Sequence, residues 1–141
     1  MRHSIRRGAC AILERDEDDK ILLHLRSRSA WVYPRCWAFI GGGVERGESA
    51  FAALRREWLE ELGYPLSGHK LFDVSWHHKG GCRVLDFTFI AHWYPWQRLR
   101  LCEGQAIRWF RIEEALALPN LPPHERAILT MLLLQRQKLA A

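Results

Sequence analysis

Long apolar runs are missing from this chain of 141 residues, and their absence excludes one class of protein. Its purely apolar runs, such as Met131 to Leu134, are far shorter than the roughly 20 residues that a transmembrane helix needs. The basic residues near the N-terminus are not followed by the apolar core of a signal peptide. We therefore expect a soluble, cytoplasmic protein that does not bind a membrane.

Cysteine is scarce, and its spacing argues against a structural metal. The cysteines stand at positions 10, 36, 82 and 102, and they form neither a C-x-x-C pair nor another short zinc-binding spacing. Free thiols in a reducing compartment are the simplest interpretation. Long basic runs, zinc-finger spacings and an aromatic-glycine RNA motif are also missing. The net charge of +5 therefore suits a small anionic ligand better than macromolecular nucleic acid.

Repeats, low-complexity tracts and flexible linkers are absent as well, so nothing marks a domain boundary. A hydrophobic content of 48% provides enough apolar material for one substantial core, and we predict a single domain over residues 1–141. Apolar patterns and turn residues predict strands over Ile5 to Leu13, Ile21 to Leu25, Trp37 to Ile40, Lys70 to His77, Arg83 to Trp93 and Ile107 to Arg111. A short helical turn from Glu113 and a last helix from about His124 to Lys138 are predicted near the end.

The glycines at 41 to 43 follow the third apolar run directly. We predict that this strand stops there, because glycine permits the sharp backbone turn that a following loop requires. The pair His77-His78 suggests a metal pair only superficially, because neighbouring residues of a strand point to opposite faces. We interpret both histidines as surface residues.

The strongest helix signal runs from Ser49 to Leu62. Phe51, Leu54, Trp58 and Leu62 recur at steps of three and four, Ser49 is placed to cap the start, and Gly63 to end the helix.

Three carboxylates share one face of this helix. Glu57, Glu60 and Glu61 lie at positions i, i+3 and i+4, where like charges repel each other near the helix C-terminus. A hard divalent cation offsets this repulsion, because Mg²⁺ binds carboxylate oxygens together with water and phosphate oxygens. A solvated acidic face that Arg56 partly balances is the alternative interpretation of the helix by itself.

The segment from Gly42 to Tyr64 resembles the Nudix box, G-x5-E-x7-R-E-U-x-E-E-x-G-U, where U is a bulky apolar residue. Every fixed letter of the box is matched, by Gly42, Glu48, Arg56, Glu57, Glu60, Glu61 and Gly63. Trp58 and Tyr64 occupy the two apolar positions, where aliphatic residues are commoner. The order of elements around the box is also similar to that of the family, which implies an α/β/α sandwich with a mixed sheet.

The resemblance implies a Mg²⁺-dependent hydrolase, with Mn²⁺ as an alternative ion, that adds water to phosphorus in a nucleoside-diphosphate derivative. Glu57, Glu60 and Glu61 would hold the metal together with the carbonyl of Gly41. Arg56 would orient Glu57 through a salt bridge, and Glu48 would brace the loop or bind an outer ion.

The identity of the general base stays open, because the family takes it either from the box or from a glutamate on a later loop. Glu103 is the candidate on such a loop, and an exposed carboxylate before the last strand is an equally good interpretation.

Aromatic residues near loops or strand ends are candidates for stacking on a flat substrate group, although each also fits a role in packing. These residues are Trp31, Tyr33, Trp76, Trp93 and Trp96. The run from Trp37 to Gly42 resembles the MutT-like version of the family, with Ile40 where proline is usual, which favours a nucleoside triphosphate or a nucleotide sugar. A non-catalytic nucleotide-sensing domain, a hydrolase of RNA 5′ ends and a homodimer are the alternatives that the sequence leaves open.

Overall fold

The computed structural model of the protein describes residues 5–101 and 106–141. The strands are β1 (Ile5–Arg15), β2 (Lys20–Leu25), β3 (Trp37–Ala38), β4 (Ile40–Gly43), β5 (Lys70–Lys79), β6 (Cys82–His92) and β7 (Ala106–Phe110). The helices are α1 (Ala50–Leu62), α2 (Ile112–Leu116) and α3 (Pro123–Ala140). None of these helices is long and apolar enough to cross a membrane.

These strands form one mixed sheet with β1 near its centre. Strands β3, β2, β1, β6 and β5 follow each other across the sheet, while β4 also pairs with β1 and β7 also pairs with β2. The ladder between β1 and β6 is parallel, and the other ladders are antiparallel. The predicted mixed sheet is therefore confirmed.

Successive side chains of β1 point alternately into two apolar cores. Ala9, Ala11 and Leu13 pack beneath α1, whereas Cys10 and Ile12 pack beneath α3. Since successive residues of a strand point to opposite faces, the sheet separates the two cores. We call these two sides the α1 face and the α3 face. The result is the predicted sandwich of helices on both sides of the sheet.

The glycines at 41 to 43 do not form a turn after the strand, and that prediction was wrong. They are extended residues of β4, and Gly41, Gly42 and Gly43 pair with β1 in an antiparallel ladder. A Cβ atom at Gly41 would stand 2.0 Å from the carbonyl oxygen of Ala9. Glycine is required at that position because two backbones approach each other closely, and not because the chain turns.

The ends of α1 agree with the prediction. The Ser49 hydroxyl accepts a hydrogen bond from the Ala52 amide at 3.1 Å, and Gly63 adopts a left-handed conformation with φ of 59°. Leu54, Trp58 and Leu62 are fully buried. Helix α1 is thereby fixed on the sheet along one apolar stripe.

Candidate functional site

Arg56 is the centre of the polar contacts on the exposed side of α1. Its guanidinium donates two hydrogen bonds to the carboxylate of Glu48, at 3.0 and 2.9 Å, and one to Glu57 Oε1 at 2.9 Å. It also donates to the carbonyl oxygen of Gly43 at 3.2 Å, and it lies 3.6 Å from Glu60 Oε2. The hydrogen bonds from Arg56 lower the pKa of the Glu48 carboxyl below its usual value. One side chain thus joins helix, loop and strand.

The carboxylate of Glu57 lies directly over the backbone of Gly42. A Cβ atom at Gly42 would stand 2.5 Å from Glu57 Cδ, so any side chain there would displace the carboxylate. Only 19% of the Glu57 side chain is exposed, compared with 56% for Glu60. The structure therefore places a glutamate of α1 against the glycine strand β4.

Trp58 sets the distance between α1 and the glycine strand. Its indole Nε1 donates a hydrogen bond to the carbonyl oxygen of Ile40 at 2.9 Å, and its ring is fully buried beside Tyr64. Trp58 and Tyr64 are the two aromatic residues that replace the commoner aliphatic residues of the box. The bulky positions of the box therefore support the helix from below, while its charged positions stay on the outer side.

Residues of β4 and α1 provide a donor set that fits a hard divalent cation. Glu57 lies on Gly42, and Glu60 and Glu61 follow it on the same side of α1 at helical spacing. Carboxylate and peptide oxygens are the ligands that Mg²⁺ prefers. Among the described residues, the carboxylate oxygens of Glu57, Glu60 and Glu61 do not all lie within 4.8 Å of one another.

A cavity of about 270 Å³ opens beside the glycine strand on the α3 face. It extends from Gly41, Gly42 and Gly43 to the buried acids Asp86 and Glu125. Basic side chains contribute to its lining: Arg6, Arg7, Arg26 and Lys79.

Asp86 is the most strongly held charge in this cavity. Its Oδ2 lies 3.1 Å from His77 Nε2, at hydrogen-bond distance. The same oxygen lies 3.2 Å from His124 Nε2, which is within ion-pair distance but does not have hydrogen-bond geometry. The two imidazole rings stack with their centroids 4.3 Å apart. Burial by itself would raise the pKa of Asp86, but both histidines outweigh it and hold that pKa well below its usual range.

Glu125 is the second buried acid of the cavity, and only 7% of it is exposed. Burial raises the pKa of its carboxyl above the ordinary value, although Lys79 and His124 oppose that shift. Cys10 lies nearby, with its Sγ 3.5 Å from Thr88 Oγ1. In the part of the chain that the structure describes, the potential metal-binding side chains whose ligand atoms all lie within 4.8 Å of one another are Cys10, Asp86 and His124.

The predicted stacking residues are spread over the molecule. Trp31 lines the cavity, although 74% of it is exposed. Trp76 lies beneath the guanidinium of Arg83, on the side of β5 away from the cavity, and Trp93 packs edge-on against Trp109. Tyr33 and Trp96 are also exposed and do not line the cavity, and Glu103 lies outside the described residues.

Asp86, His124 and Glu125 were missed by sequence reasoning. They come from β6 and α3, and no spacing along the chain connects them. The one available signal was His77, which was interpreted as a surface residue. Alternation did place His77 and His78 on opposite faces, but His77 faces a buried carboxylate whereas His78 is exposed.

In this fold the glutamate-rich helix α1 lies beside the glycine strand β4. A family model described as NUDIX domain matches residues 4–132. The chain therefore belongs to the Nudix hydrolase family, as predicted.

Individual relatives support the same assignment. The uncharacterized Nudix hydrolase YvcI of Bacillus subtilis is 31% identical over 110 residues, which cover 74% of this chain and 66% of YvcI. The nucleoside triphosphatase NudI of Salmonella agona is 44% identical over 80 residues, or 56% of this chain and 53% of NudI. The matched segments thus span less than two thirds of these curated relatives.

A solved structure covers more of the chain. The crystal structure of a MutT NUDIX hydrolase from Burkholderia pseudomallei superimposes with a TM-score of 0.77 at 30% identity. The match covers 90% of this chain and 97% of that protein. The similarity therefore extends over the sheet and the helices on both of its faces.

Proposed function

We propose that the protein is a divalent-metal-dependent pyrophosphohydrolase that cleaves the diphosphate linkage of a nucleoside triphosphate or a nucleotide sugar. The observation that carries this proposal is the Glu57 carboxylate lying on Gly42, with Glu60 and Glu61 beside it on α1. This arrangement puts acidic oxygens next to the glycine strand β4, where a phosphate-bound cation can be held.

Glu57, Glu60, Glu61 and the carbonyl of Gly41 are the groups that would hold Mg²⁺ or Mn²⁺. When bound, the ion would polarise phosphoryl oxygens and lower the pKa of a coordinated water. All of these groups lie on β4 or α1, whose separation is fixed by the indole of Trp58. The ligands are thus carried by regular elements and not by a loop, which suits a site that needs defined geometry.

Arg56 acts as a positioning residue in this proposal. Its hydrogen bond restrains Glu57 over Gly42, while its two bonds to Glu48 fasten the loop between β4 and α1. Planar guanidinium groups make such paired contacts with a carboxylate, and lysine cannot reproduce them. The proton of the attacking water passes to a carboxylate, either of the box or of Glu103.

Basic residues on the cavity side would meet the phosphate chain. Arg6, Arg7, Arg26 and Lys79 line the cavity next to the glycine strand. Positive charge at the entrance raises the local concentration of anionic substrate. A nucleoside triphosphate fits this charge pattern, and the relative NudI carries the name nucleoside triphosphatase.

The partner in this proposal is a small nucleotide and not a membrane or a long nucleic acid. Cys10 and Cys36 are free thiols, in keeping with a cytoplasmic enzyme. A homodimer stays a prediction.

A substrate panel tests the proposal. Nucleoside triphosphates, nucleotide sugars and capped RNA are incubated with Mg²⁺, and the phosphate products are identified. Turnover should stop with EDTA and return with Mg²⁺ or Mn²⁺, because the carboxylates need a cation. Undiminished turnover in chelator would refute the metal-dependent mechanism.

Hydrolysis in ¹⁸O-labelled water tests the site of attack. The label should appear in a phosphate-containing product, since water adds to phosphorus. Label that appears only on a carbon-linked oxygen would exclude attack at phosphorus. Binding of a nucleotide without turnover of any compound in the panel would instead support the non-catalytic sensing domain.

A further inference from the structure

Strand β5 is the outer strand of the sheet, and its free edge is long. It pairs with β6 along one side, and among the described residues no other strand pairs with it. After an irregularity between Leu71 and Asp73, its pairing with β6 is regular as far as Lys79. An edge strand presents backbone N–H and C=O groups that can pair with a strand of another chain. This stretch of β5 is therefore a template for one more strand.

The middle of this edge lacks the usual protection against such pairing, which is proline, charge or a very short strand. Between Asp73 and Lys79 the residues are Val-Ser-Trp-His-His, without proline and without a permanent charge. Val74 lies opposite Phe87 of the core beneath α1, so Val74 and Trp76 point to the α1 face. They remain 45% and 46% exposed, because α1 packs on β1 and β4.

Two charged residues flank this apolar stretch, and the fold leaves both without an ion pair. In the part of the chain that the structure describes, neither Asp73 nor Lys79 forms a salt bridge. Asp73 Oδ2 is also shielded from solvent without a hydrogen-bond partner, which costs free energy until a donor reaches it. Both side chains lie on the α3 face, since residues alternate along the strand. The edge thus carries one charge of each sign on the same face.

We propose that β5 pairs with β5 of a second copy of this chain, in an antiparallel ladder whose two-fold axis passes through Trp76. Asp73 and Lys79 each stand three residues from that axis. The ladder therefore places Asp73 directly opposite the partner subunit's Lys79, where the Cβ atoms of such a pair are about 5 Å apart. A two-fold interface needs a surface that is complementary to itself, and this charge pattern supplies it.

The same axis brings the exposed apolar side chains together. Trp76 stands opposite the partner subunit's Trp76, and Val74 stands opposite the partner subunit's His78. Aromatic pairs across a ladder stabilise it, and the two rings shield each other from water. The two sheets then join into one continuous sheet, with both α1 faces on the same side.

Other positions of the axis lose the match of charges. With the axis at Ser75 or His77, Asp73 would no longer face the partner subunit's Lys79. Lys79 also lines the cavity on the α3 face, which keeps three arginines when this lysine pairs with a partner subunit. The charges therefore favour one register, and pairing is compatible with a basic cavity.

Sedimentation velocity at increasing protein concentration measures the association. The wild type should shift from the mass of one chain to twice that mass. Asp73→Lys and Lys79→Asp each place like charges opposite each other and should raise the dimer Kd by about tenfold or more. The double variant, which carries both changes, restores the pairs with reversed sign and should recover dimerisation. A wild type that stays monomeric at every concentration would overturn the proposal.

A variant on an exposed side chain guards against misfolding. Trp76→Arg places two arginines opposite each other and should also raise the dimer Kd by about tenfold or more. Trp96→Arg, on a loop and 76% exposed, is the matched control and should dimerise like the wild type. Dimerisation that persists in Trp76→Arg, with unchanged melting temperature in both variants, would overturn the proposal.

Disulfide formation reports the register. Trp76→Cys places two thiols opposite each other, at a Cα separation that a disulfide spans, and should give a covalent dimer on a non-reducing gel. His78→Cys moves the thiol two residues from the axis, keeps the same native cysteines, and should stay monomeric under the same oxidation. Equal cross-linking of both variants, or cross-linking of neither, would overturn the pairing about Trp76.

Discussion

The protein contains two groups of acidic side chains, on opposite faces of one sheet, and they are held in different ways. Glu57, Glu60 and Glu61 lie on one side of α1, and Arg56 contacts Glu57 and Glu60. Asp86 and Glu125 are buried and come from two elements that are far apart in the chain.

The comparison shows that the exposure of a carboxylate decides which partners it needs to stay charged. A partly exposed carboxylate keeps much of its hydration, so it can exchange an arginine for a cation at moderate cost. A buried carboxylate needs fixed partners, and Asp86 has two imidazoles, His77 at hydrogen-bond distance and His124 at ion-pair distance. The helix group therefore suits a transient ion, whereas Asp86 in the buried group is already held by partners within the fold.

The largest expected effect is a loss of stability when a packing residue beneath α1 is changed. Trp58→Ala should lower the free energy of unfolding by about 3–5 kcal/mol, because it leaves a cavity beneath the helix. It also removes the hydrogen bond to Ile40. Urea denaturation measures the loss, and Trp58→Phe, which keeps most of the ring, should lose less. Equal losses in both variants would mean that the hydrogen bond outweighs packing.

The next effect concerns the carboxylates above that core. Glu60→Gln should lower kcat by on the order of a hundredfold or more on the substrate identified in the panel, while the melting temperature stays unchanged or rises. The reason is that Glu60 is exposed and bears charge close to like charges. Glu113→Gln, an exposed carboxylate of α2, is the control. Near-normal turnover in Glu60→Gln would favour the solvated acidic face.

Three neighbouring glycines should respond differently to the same change. Gly41→Ala places a methyl group against backbone atoms of β1 and should cost about 1–3 kcal/mol of stability or more. Gly42→Ala displaces only the Glu57 carboxylate, and we expect kcat to fall by about ten- to a hundredfold with little change in melting temperature. Gly43→Ala meets no atom within 4 Å and is the control. The same response at all three positions would contradict the geometry of β4.

The smallest expected effect concerns pH and the buried group. Burial lowers the pKa of His124, but the contact with Asp86 raises it more, so the net shift is upward from 6.5. A raised histidine pKa stabilises the folded state fully below 6.5 and loses that contribution as the pH rises through the folded pKa.

The stability difference between the wild type and His124→Gln should accordingly be larger near pH 6 than near pH 9. The groups that face His124 are Asp86, Glu125, Lys79 and the ring of His77. Urea denaturation at both pH values provides the measurement. His78→Gln, at an exposed position on the other face of β5, is the control. A difference that grows with pH would contradict the sign.

The sequence predicted the α1 face well because one helix carries most of it. Caps, apolar stripe and acidic residues all lie between Ser49 and Gly63, where helical periodicity alone relates them. The order of strands followed from apolar runs and turn residues in the same local way. Local rules were sufficient wherever the interacting residues were neighbours in the chain.

The α3 face could not be predicted, since strand pairing assembles it from distant segments. His77 meets Asp86 because β5 pairs with β6, and His124 meets it only once α3 has packed on the sheet. The prediction of a turn at the glycines of β4 failed for a related reason. Glycine is needed there because the backbone of β1 approaches closely, and nothing in the run of three glycines distinguishes that use from a turn.

The parallel ladder between β1 and β6 has a consequence for synthesis of the chain. Its partners, such as Cys10 and Thr88, are 78 residues apart, so β1 leaves the ribosome long before β6 exists. Until then the apolar strand can pair on its other edge with β2 and β4 but keeps one edge open. Open apolar edges recruit strands from other chains. Charged residues stand at both ends of β1, with Arg6 and Arg7 at its start and Arg15 at its end. Such charges oppose pairing with strands of other chains. Neutralising them should increase aggregation during translation more than it lowers the stability of the finished fold.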